Sequence, residues 1–436
     1  MNNRYLLKDY THLFIPSSID TQLLLPKTMQ KHADKYNYVL HAIYIARKVD
    51  KRNTSVSYIP LSSKVLEQIT HARMCKPIID FWIEEGVIEC DNHYITGEKS
   101  KGYRFTAAYR KERVKRVKIQ DYKFKAKLTK RKSLYLDRVD MNNPILSFLH
   151  SNLKQVRVDA LGALNHTHQL FKYTDEHADR FNQYCLTIHE LAQGHYFFTR
   201  DTKGNRVHNN FVNFPKALRP FLYVETGEQL VNLDIRNSQP LMLCVLLIGA
   251  YKGRSLPADV KQYIQECQEG RFYESFALAS GIPLEDRKKF KEGLFANVFF
   301  GKNESCVRSV AYRALASHYP NVAAFIKEYK RSDYKSLAIA LQKVESEIII
   351  DDVIGTLACQ YHPEDFFALT IHDSITTTYS NLGEVMSLME EAFRKRGIKA
   401  SIKPEFFETE RIYRIGANAL DKLNRTHLNG EQKQAA

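Results

Sequence analysis

Two aspartates stand at the ends of short apolar segments, where burying a carboxylate is costly. Asp234 follows the apolar segment that begins at Leu230, and Asp373 follows another that begins at Leu369. Two carboxylates at the ends of neighbouring strands can hold a pair of divalent cations, the arrangement used for phosphoryl transfer. The sequence therefore predicts a phosphoryl-transfer site on these two acids, provided that the fold brings them together.

The composition favours a polyanionic partner. The chain has 436 residues, and its 64 Lys and Arg residues outnumber the 49 Asp and Glu residues, giving a formal net charge of +15. An excess of this size is typical of proteins that bind nucleic acid. The alternative is a basic soluble protein without such a partner.

Cysteine usage and hydropathy indicate a soluble, cytoplasmic protein. The seven cysteines include no pair at Cys-x-x-Cys spacing, so we expect neither a zinc site nor a redox motif. The amino terminus lacks the apolar core of a signal peptide, and no apolar run reaches the length of a membrane span. We therefore expect no membrane association.

The first hundred residues predict three helices followed by a β-hairpin. The helices are expected at residues 28–48, 64–70 and 75–85, and the hairpin at 87–105. This order resembles a winged helix-turn-helix domain, which we assign to residues 1–108.

In such a domain the third helix would be the recognition helix. Arg73 and Lys76 near its start, with Lys99 and Lys101 in the hairpin loop, would then contact nucleic acid. The alternative is that this domain binds another protein or acts as a spacer.

A densely basic stretch follows at residues 109–133, which we interpret as a basic linker. Val114, Val117, Tyr122 and Phe124 interleave with its Lys and Arg residues. Such a stretch suits either a solvated connector or a segment that binds a phosphate backbone, and the sequence leaves both open.

From residue 195 onward the chain contains, in this order, a turn ending at Arg206, a segment containing Arg219, Asp234, Gln342 and the run His372–Ser374. This order resembles that of family A polymerases, the DNA polymerase I-like enzymes and their single-subunit phage-type relatives. A turn ending at Arg206 and a segment containing Arg219 resemble the approach to motif A, the strand that ends in the first aspartate. Gln342 resembles the glutamine of the family's Gln-Gly helix, although a lysine replaces the glycine. The run His372–Ser374 resembles motif C.

The resemblance implies roles for these residues. Asp234 and Asp373, with the backbone carbonyl of Ile235, would hold two Mg²⁺ ions, for which Mn²⁺ can substitute. His372 would lie beside the primer terminus. Contacts to nucleic acid would come from Arg206, Arg219 and Gln342.

A predicted helix resembles the fingers helix of these polymerases. Arg287 and Lys291 lie four residues apart and share one face, which Phe295 and Phe299 continue. Cations on such a face can bind a triphosphate, and an aromatic ring can stack on the incoming base. The family has its aromatic residue directly before a glycine, whereas here Phe300 stands between Phe299 and the glycine. The sequence leaves open which ring would stack.

The residues around the two aspartates favour different products. Gln239, five residues after Asp234, is isosteric with the glutamate that excludes ribonucleotides in DNA-making members. Arg236 and the His-Asp-Ser run with Ser374 resemble instead the RNA-making branch. We expect a DNA polymerase. The alternatives are a single-subunit RNA polymerase or primase, and a non-catalytic replication initiator that binds DNA.

These expectations describe an α+β protein with an N-terminal winged helix domain and a right-hand polymerase. The polymerase would have an antiparallel-sheet palm, helical fingers and a reduced helical thumb. Its partners would be template and primer DNA and nucleoside triphosphates, in the replication of a mobile element or phage. We assign the polymerase to residues 134–436, with the thumb at 134–200, the palm at 201–245 and 340–415, and the fingers at 246–339.

Overall fold

The computed structural model describes residues 11–49, 53–95, 97–136, 140–171, 177–281 and 287–407. Within these ranges the chain has a mixed α+β fold, mostly helical with small antiparallel sheets, as the sequence predicts. It divides into two compact units. Unit 1 comprises Met1–Arg138, Arg157–Phe197 and Phe214–Leu222, and unit 2 comprises Val139–Val156, Phe198–Asn213 and Tyr223–Ala436.

The described residues of unit 1 form helices and short strands. They are β1 (His12–Pro16), α1 (Thr21–Leu24), a 3-10 helix (Gln30–His32), α2 (Ala33–Val49), β2 (Ile59–Pro60), α3 (Ser63–Thr70), α4 (Ala72–Glu84), β3 (Ile88–Cys90), β4 (Gly102–Phe105), β5 (Val114–Lys118), α5 (Tyr122–Leu136), β6 (Arg157–Val158), α7 (Ala160–Leu170), α8 (Ala178–Ala192) and a 3-10 helix (Lys216–Phe221).

The amino-terminal part of unit 1 has the predicted order of elements. Helices α2, α3 and α4 pack around a core that includes the fully buried Trp82, whose indole N–H donates to the carbonyl of Tyr36 at 3.0 Å. Strands β2, β4 and β3 form a three-stranded antiparallel sheet. The winged helix-turn-helix interpretation requires this order, and it stays a prediction.

Helix α4 begins earlier than the sequence indicates. His71 adopts a left-handed backbone with φ of 93°, and its ring nitrogen accepts the N–H of Arg73, so the helix starts at Ala72. Pro77 therefore lies in the second turn and not in the first. There it removes a backbone donor that an interior helical residue would use.

The basic stretch after the hairpin is folded into unit 1. Strand β5 pairs antiparallel with β1, and Phe124 and Leu128 of α5 are buried against Leu13 and Ile69. Apolar residues four apart on one helix face must be covered, and here β1 and α3 cover them. Residues 114–136 are thus packed elements and not a solvated linker.

Unit 2 is built from a four-stranded sheet, a hairpin and many helices. Its elements are α6 (Pro144–Gln155), β7 (Phe198–Arg200), β8 (Val207–Asn209), β10 (Leu230–Ile235), α9 (Ser238–Ala250), α10 (Ala258–Gln268), α11 (Phe272–Ser280), α12 (Arg287–Leu294), α13 (Asn303–Cys306), α14 (Val310–His318), α15 (Pro320–Tyr329), α16 (Ser336–Ser346), α17 (Gly355–Gln360), β11 (Ala368–Ile371), β12 (Ser374–Thr378), α18 (Leu382–Arg394) and β13 (Ile402–Phe406). The short strand β9 (Leu222–Tyr223) lies at the boundary between the units.

The segment assigned to a thumb does not form one body. Residues 139–156, with α6, belong to unit 2, whereas 157–197, with α7 and α8, belong to unit 1. The predicted thumb at 134–200 is therefore divided between the two units.

The four-stranded sheet of unit 2 has the order β11-β12-β10-β13, and all its neighbours are antiparallel. Strands β11 and β12 form a tight hairpin, and all five residues of β12 are buried. Helix α6 packs against β11, and α18 packs against β12.

Two helices of unit 2 continue into π-helical turns. Helix α12 runs into a π-helix at Phe295–Phe299, and α16 runs into another at Glu347–Ile354 before α17. A π-turn spaces residues about five apart on one face, and such turns are frequent at functional sites.

The described parts of the chain contain no helix that is both long and apolar enough to cross a membrane. The seven cysteines are free thiols, and five of them are buried.

Candidate active site

The register of the unit 2 sheet brings Asp234 to the turn that contains Asp373. Leu233 of β10 pairs with Ile375 of β12, so Asp234 lies opposite Ser374, the residue next to Asp373. Asp234 is exposed although its neighbours on the strand are buried, and Asp373 is half-exposed. Both carboxylates are therefore accessible at the same end of the sheet.

The turn between β11 and β12 consists of His372 and Asp373. His372 has a left-handed backbone with φ of 55°, a region that is uncommon for residues other than glycine, although His, Asn and Asp are enriched there. Its ring contacts the ring of His208, with centroids 6.1 Å apart. Residues held in sparsely populated backbone regions cluster at functional sites, which agrees with a functional role for this turn.

Ser374 has a role inside the sheet. The side chain is 2% exposed, and its hydroxyl lies 3.0 Å from both Oδ1 of Asn232 and the carbonyl oxygen of Ile371. Oδ1 of Asn232 also accepts a hydrogen bond from Thr376 at 2.8 Å. Ser374 is therefore buried within the sheet, with its hydroxyl next to the buried amide oxygen of Asn232.

The hairpin β7–β8 presents Arg206, and Asp201 organises the turn. The carboxylate of Asp201 accepts the backbone N–H groups of Lys203, Gly204 and Arg206 at 2.6–3.1 Å. Burial alone would raise the pKa of Asp201, but these hydrogen bonds and His208 lower it below its ordinary value. The turn is thus held by hydrogen bonds to Asp201, a residue of the turn itself.

The same hairpin packs closely on α16. A Cβ added to Gly204 would lie 2.6 Å from Oε1 and 2.9 Å from Cβ of Gln342, so only glycine fits there without a shift. The hydroxyl of Ser346 donates to the carbonyl of Gly204 at 2.7 Å. Gln342, which we predicted to contact nucleic acid, here lies against the hairpin backbone.

A buried carboxylate, Glu345, connects the hairpin with the residues after Asp234. It is 1% exposed and receives two hydrogen bonds of 2.7 Å from the guanidinium of Arg206. The side-chain amide of Gln239 donates to Glu345 Oε2 at 2.8 Å. Burial and the negative charge of Asp373, opposed by Arg206 and Gln239, raise the pKa of Glu345 to about 7.

Helix α12 and the π-helix that continues it have their aromatic residues in an arrangement that differs from the predicted one. Phe299 is fully buried, whereas Phe295 and Phe300 are partly exposed and stack with their ring centroids 5.3 Å apart. The backbone N–H of Phe300 donates to the carbonyl of Phe295, five residues earlier, as a π-turn requires. Phe295 therefore shares its partly exposed face with Phe300, the residue directly before Gly301, and not with Phe299 as we predicted.

Lys291 lies beside these rings. Its ammonium group lies 5.6 Å from the ring centroid of Phe295 and 5.7 Å from that of Tyr273, and its side chain is exposed. Helix α12 begins at Arg287, as predicted, but the side chain of Arg287 lies outside the described residues.

A buried lysine donates hydrogen bonds at the end of the π-helix. Lys330 is 2% exposed, and its ammonium group donates to the carbonyls of Val298 at 2.6 Å and Gly301 at 3.0 Å. Burial lowers the pKa of Lys330. These carbonyls at the end of a helix need donors, and Lys330 supplies them.

We expect Lys330→Met to destabilise the protein by about 2 kcal/mol, because it removes the ammonium donor to the carbonyls of Val298 and Gly301. The matched control is Lys327→Met, in the last turn of α15 three residues earlier, whose side chain is exposed. Urea unfolding of the two variants measures the difference. Equal free energies of unfolding would contradict the role assigned to Lys330.

The remaining predicted nucleic-acid contacts lie in unit 1. Arg73 is exposed, and Lys76 is exposed and paired with Asp80 one turn later. Lys99 and Lys101 are exposed in the loop between β3 and β4, where the ammonium of Lys99 lies near Asp91 and His93. Arg219 is half-buried in the 3-10 helix Lys216–Phe221.

The donor set at the sheet end fits hard divalent cations. Asp234 and Asp373 supply carboxylate oxygens, which Mg²⁺ prefers, and Mg²⁺ keeps several waters or substrate oxygens besides. Among the described residues, no three His, Cys, Asp or Glu side chains form a complete metal site. The ligation by Asp234, Ile235 and Asp373 stays a prediction.

Comparison with known proteins gives a distant structural similarity. No protein-family model and no curated protein matches the sequence. A solved structure that matches is the POL domain of Pol1 from M. smegmatis in complex with DNA primer-template and dNTP. The sequence identity is 12%, the TM-score is 0.37, and the match covers 56% of this chain and 55% of that one. The chain thus spans about half the length of the matched structure.

Sequence reasoning missed Glu345, although a signal for it exists. Leu337, Leu341 and Glu345 recur every four residues, and Ile348 continues the row, so an acid occupies the apolar stripe of a helix. An acid in that position is expected to be buried with a partner. The partner could not be found from the sequence, because Arg206 lies on a distant hairpin.

Proposed function

We propose that this chain is a template-directed nucleotidyl transferase that makes DNA. The observation that carries the proposal is the position of Asp234 beside the His372–Asp373 turn, at one end of an antiparallel sheet. Mg²⁺ bound by these carboxylates would activate a primer hydroxyl and neutralise the charge of a triphosphate. His372 would border the primer terminus.

The residues of the fingers-like helix support a nucleotide site. Lys291 is an exposed cation that can bind triphosphate oxygens, and the pair Phe295 and Phe300 offers a partly exposed aromatic face to a base. Arg287, at the start of the same helix, would add a second cation. In this proposal Phe300 replaces Phe299 as the stacking ring, since Phe299 is fully buried.

Primer extension tests the proposed function. Wild-type protein is incubated with primed or unprimed templates, with dNTPs or rNTPs, and with Mg²⁺ or Mn²⁺. The proposal expects template-dependent dNTP addition to a primer. Synthesis from rNTPs without a primer would instead indicate a primase or RNA polymerase. DNA binding without any incorporation would indicate a non-catalytic replication initiator.

Unit 1 would hold the nucleic acid through a cation cluster, defined as Lys35 of α2 and Lys127 of α5. These two helices meet through the rings of Tyr38 and Phe124, whose centroids lie 5.9 Å apart. The charge of Lys35, together with burial, lowers the pKa of Lys127, and burial, Lys35 and Lys31 lower the pKa of His32. The ammonium of Lys35 lies 3.5 Å from the sulfur of Met74 in α4. Cations brought together from distant segments repel each other, and a polyanion relieves that repulsion.

We expect Lys35→Glu/Lys127→Glu to weaken DNA binding about tenfold and to reduce the slope of log affinity against log salt by about 2. Fluorescence anisotropy with labelled duplex and single-stranded DNA measures both quantities. The charge-matched control is Lys252→Glu/Lys261→Glu, which changes two exposed lysines of unit 2. If both variants bind like wild type, the cation cluster does not contact DNA.

A further inference from the structure

We infer that Glu345 is a positioning residue that orients Gln239 and thereby determines whether the site accepts deoxynucleotides or ribonucleotides. This inference rests on the proposed function. It assigns a role in substrate selection to a side chain that belongs neither to the acidic pair nor to the fingers-like helix.

The first step is the orientation of the Gln239 amide. Its Nε2 donates to Oε2 of Glu345 at 2.8 Å, which directs the carbonyl oxygen of the amide away from Glu345. Rotation of the amide by a half turn would place that oxygen against the carboxylate, and two acceptors repel each other. The ionised form of Glu345, which the two hydrogen bonds from Arg206 favour, therefore fixes one amide orientation.

The second step is the fixing of Glu345 itself. Arg206 binds both of its oxygens at 2.7 Å, and bidentate pairs of this kind are geometrically specific. Arg206 in turn lies on a hairpin whose turn is held by Asp201 and packs against α16 at Gly204. The carboxylate is therefore fixed at 1% exposure.

The third step is the position of Gln239. It lies in the first turn of α9, which directly follows the strand that ends beyond Asp234, and its side chain is only half-buried. A side chain at this position can meet the sugar of a nucleotide whose triphosphate is bound near Asp234. A fixed amide excludes a 2′-hydroxyl by its bulk, whereas a mobile amide can move aside or rotate to hydrogen-bond with it.

The experiment measures kcat/KM for a dNTP and for the matching rNTP on the same primer-template. We expect Glu345→Gln to reduce the preference for the dNTP about tenfold, mainly by lowering KM for the rNTP, because a glutamine can pair with either amide orientation. Gln239→Ala should reduce the preference at least as much. In the double variant the loss should equal that of Gln239→Ala alone, since Glu345 acts through Gln239.

Glu347→Gln is the matched control, because it removes an exposed carboxylate two residues later on the same helix. Should Glu345→Gln fold poorly, as judged by its thermal unfolding, Arg206→Met/Glu345→Gln removes both charges together, and the dNTP-to-rNTP ratio is measured there. An unchanged ratio, or a loss that adds to that of Gln239→Ala, overturns the inference while the polymerase function stands. Wild-type protein that neither binds nor incorporates any nucleotide overturns the function first, and the inference with it.

Discussion

Asp234→Asn and Asp373→Asn should each reduce nucleotide incorporation about a thousandfold, equivalent to about 4 kcal/mol of transition-state stabilisation. Each substitution keeps the shape of the side chain but removes a charge that a divalent cation requires. Asp234 is exposed and Asp373 is half-exposed, so the loss should not come from unfolding. Primer extension with saturating dNTPs and Mg²⁺ measures the rate, and a chelator should abolish the wild-type reaction.

The control for these variants is Asp365→Asn. Asp365 is an exposed acid in the loop before β11, on the same unit, and its substitution should leave the rate unchanged. Thermal unfolding of all three variants checks that the fold is kept. If either Asp234→Asn or Asp373→Asn retains the wild-type rate, that residue is not a metal ligand and the proposed mechanism is wrong.

Phe299→Ala should mainly reduce stability, whereas Phe300→Ala should mainly weaken nucleotide binding. Phe299 is fully buried, so its truncation should lower the free energy of unfolding by about 3–5 kcal/mol. Phe300 is partly exposed and stacks on Phe295, so its truncation should cost little stability. It should instead raise KM for the nucleotide about tenfold, since stacking contributes about 1–3 kcal/mol per base.

Phe300→Tyr keeps an aromatic ring and serves as the control for the effect on KM. Denaturant unfolding and steady-state kinetics on the four proteins, wild type included, separate the two roles. A stable Phe299→Ala protein with a raised KM would indicate that Phe299, and not Phe300, stacks on the base. The π-turn would then not determine which ring faces the base.

The π-turn at Phe295–Phe299 shows why residue spacing alone did not predict which aromatic ring is exposed. A spacing of four residues indicates a shared face only in an α-helix, and the sequence predicted Phe299 on that assumption. The π-turn at Phe295–Phe299 adds about one residue per turn, which buries Phe299 and brings Phe300 under Phe295. The π-turn is maintained partly by Lys330, which lies on another helix, so local propensity does not reveal it.

The structure also changes the interpretation of Ser374 and Gln239, the two residues that favoured different nucleic-acid products. Ser374, which resembles the RNA-making branch, is buried and hydrogen-bonded to Asn232, so the sheet itself accounts for a hydroxyl at this position. Gln239 is held by Glu345 next to the strand that carries Asp234. We therefore expect selection between deoxyribonucleotides and ribonucleotides to depend on Gln239 and its partner Glu345, and not on Ser374.

The sequence alone determined the features that depend on local order. Apolar periodicity and breaking residues predicted the α+β class, the three helices and hairpin of unit 1, and strands ending near Asp234 and before His372. Each of these follows from side-chain spacing within one segment. The exposure of Asp234 between two buried neighbours is a finding of the structure and was not predicted.

Only the tertiary structure determined which residues of distant segments come into contact. The pairing of β10 with β12 brings Asp234 to the turn of Asp373, and the packing of β5 and α5 makes a presumed linker part of unit 1. The partnership of Glu345 with Arg206 also joins two separate elements. Such contacts depend on register and on burial of one element against another, and no single segment of the sequence contains that information.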